Sequence, residues 1–122
     1  MSGRPLKIDV QSEIGRLDAV LLHRPGAEVE NMTPRNVSRA LYSDILNLSI
    51  AQKEYEQLYG TLSKVATVYE VSDLLVKVLD DEKSREELIR RICVSEEVIS
   101  YYETLMQMPS RELCRVLIEG LP

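Results

Sequence analysis

The chain has no phenylalanine, no tryptophan, one histidine and two cysteines among its 122 residues. Each shortage narrows what it can be. Without the two largest aromatics, a core has to be assembled from Leu, Ile, Val, Met and six tyrosines. That is a thin but adequate supply for one domain, or for one compact piece of a larger protein. Two cysteines, Cys93 and Cys114, do not make the spaced pairs of a zinc site, nor a Cys-x-x-Cys redox motif. Positive charge is also in short supply, with 15 Lys and Arg against 20 Asp and Glu. A net charge of -5 argues against nucleic acid, which demands cations against its phosphates. No apolar run approaches the roughly 20 residues of a membrane span. The opening Met1-Ser2-Gly3-Arg4-Pro5-Leu6-Lys7 has no apolar core of a secretory signal. The cytoplasm is the default, and no membrane partner is expected.

What is present is a chain that changes character part-way. Ile8, Val10 and Ile14 alternate with polar neighbours, predicting a half-buried strand. After a turn at Gly15, Leu17-Asp18-Ala19-Val20-Leu21-Leu22 predicts a second strand, stopped by Arg24-Pro25-Gly26. The short connection favours an antiparallel pair. Thr33-Pro34 has the form of a helix start. From Ser49, the stripe Ile50, Ala51, Tyr55, Leu58, Tyr59 and Leu62 predicts a helix. Ala66-Thr67-Val68-Tyr69-Glu70-Val71 then predicts a strand, giving ββ-α-β overall. Beyond Ser72 only helices are expected. Ser84-Arg85-Glu86-Glu87 has the pattern of a capping box, Ser95-Glu96-Glu97 suggests the next start, and Pro109-Ser110 the last. These short amphipathic helices should form a bundle. The fold class is therefore α/β, or α+β-like taken in isolation, with residues 1–71 as one unit and 72–122 as the other.

No complete catalytic set is visible. His23 follows an apolar strand with no nucleophile near it in sequence, so a structural role is favoured over a general base. Cys93 and Cys114 fall on apolar helix stripes, where cysteine packs as a small hydrophobe with a disfavoured thiolate. A disulfide between them is disfavoured by a reducing compartment. Glu28-Val29-Glu30 could set two carboxylates on one side of an extended segment, suiting a cation or a guanidinium. A third ligand for a metal is missing. Asp80-Asp81-Glu82 lies between helices and is expected to face solvent. No glycine-rich phosphate loop occurs. Asp44 follows Leu41-Tyr42-Ser43 where the helical pattern breaks, a position for a cap, a turn or a binding group. No cofactor is expected.

Several stretches taken together resemble the beginning of bacterial arginine deiminases, members of the guanidino-group-modifying superfamily. They are Ser12-Glu13-Ile14-Gly15-Arg16-Leu17, Val20-Leu21-Leu22-His23-Arg24-Pro25-Gly26 and Glu28-Val29-Glu30-Asn31-Met32-Thr33-Pro34. Leu41-Tyr42-Ser43-Asp44-Ile45 and Ala51-Gln52-Lys53-Glu54-Tyr55 follow in the same order and spacing. Pro109-Ser110-Arg111-Glu112-Leu113 and Leu117-Ile118-Glu119-Gly120 look like the last helix of that family's inserted helical domain. The resemblance implies the first ββαβ module of a five-module α/β-propeller, followed by a small helical bundle. It implies an enzyme that hydrolyses L-arginine to L-citrulline and ammonia through a cysteine-bound amidino intermediate. It also implies that Leu41 and Asp44 bind substrate, in a segment where the family usually has Phe-Asp-Asp and this chain Tyr42-Ser43-Asp44. Neither Cys93, Cys114 nor His23 matches the family's catalytic groups, so no catalytic residue is expected here. The chain reads as an N-terminal fragment, inactive alone, whose uncovered faces should drive self-association into a homo-oligomer. Two alternatives stand beside this: a stand-alone interaction or regulatory domain, or a relative acting on another guanidino substrate.

Overall fold

The computed structural model describes residues 7–30 and 47–120. Strand β1 (Ala19–Leu22) is an unbroken apolar run, and β2 (Thr67–Glu70) is rich in residues that suit a pleated surface. The two pair in parallel, with Ala19 opposite Thr67 and Leu22 opposite Glu70. Parallel strands cannot be joined by a tight turn. The described part of the connection supplies one helical turn, α1 (Ala27–Glu30), and then α2 (Leu48–Leu62). Asn47 caps α2, its side-chain oxygen accepting from the Ile50 amide at 3.2 Å.

The helices follow at once. Glu70 ends β2 and Val71 begins α3 (Val71–Asp80), with α4 (Glu82–Ser95) after a single residue. A 3₁₀ turn (Ile99–Tyr101) leads into α5 (Tyr102–Gln107), and Pro109 precedes α6 (Ser110–Glu119). Helix α3 packs on α6 and α4, and α4 packs on α5. Their shared core is Leu79, Ile89, Cys93, Leu105, Leu113, Cys114 and Val116, with Leu79, Ile89 and Leu113 at most 1% exposed. The Arg85 guanidinium reaches the Leu105, Met106 and Met108 carbonyls, supplying donors to the C-terminal end of α5.

Four expectations need correction. Residues 8–14 form no strand: Ile8, Val10 and Ile14 are 87, 84 and 97% exposed. The Ser12 hydroxyl accepts from the Ile14 and Gly15 amides, bending the chain where a strand would continue. The antiparallel pair is absent for the same reason, and β1 finds β2 instead. Ser84 does not open α4. Asp81 is the cap, accepting from the Ser84 amide at 2.9 Å and its hydroxyl at 2.6 Å, and the Ser84 hydroxyl holds the Asp81 carboxyl below its usual range. Finally, Ser95-Glu96-Glu97 stops a helix rather than starting one. The Val98 amide returns to the Cys93 carbonyl and the Glu97 amide to Val94, with Glu97 left-handed at φ 58°. That is a Schellman stop, built without the glycine usually found there.

Candidate functional site

Because β1 and β2 are parallel, their C-terminal ends lie together. Ligands of open α/β sheets are held at that end. Two side-chain clusters form there.

The first is centred on Arg24, two residues beyond β1. Its guanidinium bonds Glu56 of α2, lies 3.2 Å from Glu70 at the end of β2, and stacks 4.7 Å above the Tyr55 ring. Tyr55 is 6% exposed and donates its hydroxyl to Glu70 at 2.5 Å. Burial raises the Tyr55 phenol well above its ordinary range, and its bond to Glu70 adds to the rise. The bond to Glu56 likewise raises the Arg24 guanidinium, holding it charged. Gln52 donates to the Pro25 carbonyl at 3.2 Å, tying α2 to the same loop. Every polar partner in this cluster is satisfied by another, so its role is to fix the loop after β1 against α2 and β2.

The second cluster opens to solvent. His23 Nε2 donates to Glu28 Oε1 at 2.7 Å, and the Gly26 amide donates to the same oxygen at 3.0 Å. A side chain at residue 26 would come within 2.8 Å of the other Glu28 oxygen, so a glycine leaves that carboxylate its place. Glu119 of α6 approaches from the far side and pairs with Arg115 at 3.5 Å. Together with Asp73 and Arg111 these groups line a cleft of about 180 Å³ between α1, α3 and α6.

Cys114 lines the same cleft. It is nevertheless 4% exposed, and its Sγ lies 3.6 Å from the Ser72 carbonyl, in line with donation to it. Burial raises the thiol above its usual range, which disfavours the thiolate that would react. Cys93 is 2% exposed within the bundle core. Both sulfurs therefore pack as apolar groups, as their helix positions suggested, and Cys114 additionally forms wall.

Other expected candidates fall as follows. His23 is engaged with Glu28 rather than set against a nucleophile. Glu28-Val29-Glu30 is a helical turn and not an extended segment, so the two carboxylates do not line one side of a strand. Val29 is buried and Glu28 folds back to His23. Among the described residues no group of three or more His, Cys, Asp or Glu could hold a metal ion, and no helix is long and apolar enough to cross a membrane. Leu41 and Asp44 lie outside the described residues. The Arg24 cluster was missed from sequence. Its three hydrogen bonds join residues 32, 27 and 15 positions apart, and only the charges beside apolar runs hinted at it.

No family model matches the chain. Among curated proteins, it is 36% identical over 121 residues to an arginine deiminase of Limosilactobacillus fermentum, covering 93% of this chain and 30% of that protein. The arginine deiminase of Lactococcus lactis subsp. lactis is 44% identical over 88 residues, 70% of this chain and 21% of the relative. That of Bacillus cytotoxicus is 36% identical over 123 residues, 93% of this chain and 30% of the relative. The chain thus spans less than a third of the length of the relatives it matches, and over that span it is a relative of the arginine deiminases.

Proposed function

We propose that this chain supplies the N-terminal part of a cytoplasmic arginine deiminase and releases no citrulline alone. In this reading residues 1–71 are the first module of its α/β-propeller and residues 72–122 its helical domain. The whole enzyme hydrolyses L-arginine to L-citrulline and ammonia. A cysteine thiolate attacks the guanidinium carbon, ammonia leaves, and water releases citrulline from the amidino-thioester. Leu41 and Asp44 belong to the arginine pocket, and the thiolate comes from elsewhere in the enzyme.

The observation that carries this is the similarity over 93% of the chain to proteins all named arginine deiminase. The environment of the thiols supports the inactivity. Thiol attack needs a thiolate beside a base. Cys93 and Cys114 are both buried, Cys114 is biased toward the neutral thiol, and His23 is occupied by Glu28.

The test replaces the matched segment of the Limosilactobacillus fermentum enzyme with this chain. A folded chimaera that releases citrulline from arginine is expected, while this chain by itself gives only the blank rate. A chimaera that folds by circular dichroism yet releases nothing overturns the roles given to Leu41 and Asp44. Citrulline formed by this chain alone, surviving repurification, overturns the inactivity.

A further inference from the structure

Leu41 and Asp44 fall between α1 and α2, and both of those helices are fastened to one run of chain, His23-Arg24-Pro25-Gly26. On the α1 side, Glu28 accepts from His23 Nε2 at 2.7 Å and from the Gly26 amide at 3.0 Å. The Val29 amide donates to the Gly26 carbonyl at 3.0 Å, and Val29 is buried. On the α2 side, Gln52 donates to the Pro25 carbonyl at 3.2 Å, and Glu56 takes the Arg24 guanidinium. Gln52 and Glu56 are four positions apart, so one face of α2 makes both bonds. Asn47 caps the same helix, and Asp44 stands three residues before it in the sequence.

Arg24 is the member of that run whose side chain reaches α2. Its planar fork is shared between Glu56 and Glu70, and its flat face lies on the Tyr55 ring, so the guanidinium has a single orientation. Stability is a small part of what this pair supplies. The Arg24 and Glu56 side chains are 43 and 59% exposed, and exposed ion pairs contribute little. What the bond does fix is the distance of α2 from the loop that carries α1. Binding groups between regular elements take their places from the scaffold that holds both ends. An error of about 1 Å in such a place can cost about 100-fold in rate.

We infer that Arg24 is a positioning residue for arginine binding. Through Glu56, with Gln52 beside it, it sets the separation of the two helices from whose ends Leu41 and Asp44 are carried. This rests on the proposal that Leu41 and Asp44 belong to the arginine pocket.

The test uses the chimaera with the Limosilactobacillus fermentum enzyme, in which citrulline release gives KM and kcat separately. Arg24→Gln is expected to raise KM for arginine at least about tenfold, with kcat kept within about twofold. Glu56→Gln and Gln52→Ala alter exposed side chains of α2, and each should raise KM at least about threefold. Arg24→Lys keeps the charge without the fork and should fall between wild type and Arg24→Gln. A merely structural role moves the other constant, since a smaller folded fraction lowers kcat and leaves KM alone. Glu87→Gln, on the exposed ion pairs of α4, should change neither. Leu41→Ala separates this proposal from the reading beneath it. If Leu41→Ala raises KM while Arg24→Gln and Glu56→Gln do not, or lower only kcat, the positioning role alone is overturned. If Leu41→Ala leaves KM unchanged, or the chimaera folds and releases no citrulline, the pocket reading is overturned and this role with it.

Discussion

Tyr55→Phe isolates the hydrogen bond on which the Arg24 cluster closes. The substitution removes one oxygen and keeps the ring that Arg24 covers at 4.7 Å. What is lost is a 2.5 Å donation to the Glu70 carboxylate from a residue 6% exposed. Hydrogen bonds to charged groups contribute about 1.5–3 kcal/mol. The lower end applies here, because Glu70 keeps Arg24 at 3.2 Å and its side chain is 20% exposed. A loss of about 1.5 kcal/mol at pH 7 is therefore expected from urea unfolding, out of a total of about 5–15 kcal/mol for a domain of ordinary stability. The same bond has a pH signature. The folded phenol titrates above its ordinary value of 10.0. A raised folded pKa means the stabilisation is complete below the unfolded value and is lost as pH rises from that value through the folded one. The difference between wild type and Tyr55→Phe should accordingly be constant from pH 6 to 9 and shrink above pH 10. Equal stabilities at pH 7, or a difference that does not narrow in alkali, would refute the reasoning.

Two further substitutions probe the bundle. Leu113 is 0% exposed between α6 and its neighbours. Leu113→Ala should cost about 2–5 kcal/mol by urea unfolding, and a cost below about 1 kcal/mol would show that α6 does not close the core. Glu97 holds φ 58° at the stop of α4, a conformation that strains a residue with a β-carbon. Glu97→Gly should raise stability by up to about 1 kcal/mol, seen as a higher melting temperature, and a lower one would contradict the Schellman assignment.

Much of this arrangement was legible in the sequence because it is written in short-range patterns. The stripe from Ile50 to Leu62 became α2, Thr67–Glu70 became β2, and Pro109-Ser110 opened α6. Errors came where one signal has two physical uses. Acidic residues after a serine mark a helix start through the dipole, yet at Ser95-Glu96-Glu97 the chain uses them to leave a helix. The alternation of Ile8, Val10 and Ile14 predicts a half-buried strand, yet those side chains lie in water and no strand forms, because a strand needs a partner edge that local spacing cannot supply. The site was less readable still. Glu28 meets His23 only because Ala27–Glu30 coils, and Glu119 arrives from α6 at the far end of the sequence.

The distribution of buried side chains explains why the two halves should behave differently. Of the nine buried residues among those described, seven form the cluster shared by α3 to α6, and Val29 and Tyr55 lie before α3. No residue of β1 or β2 is fully buried. Apolar burial contributes about 25 cal/mol per Å², so the bundle has its own source of stability, and among the described residues the sheet is tied to α2 by Tyr55 and the ion pairs of Arg24. Two strands alone are marginal in water. The loop carrying His23 and Arg24 is held on both sides, by α2 through Gln52 and Glu56 and by β2 through Glu70. Helix α6 then fixes the cleft by meeting α1 while its other face fills the bundle core. Cys114 lines that cleft where α6 meets Ser72 of α3, and the burial that makes it a good packing group is the same burial that raises its thiol pKa. A sulfur there can pack α6 against α3 or attack a substrate, and its surroundings are built for the first.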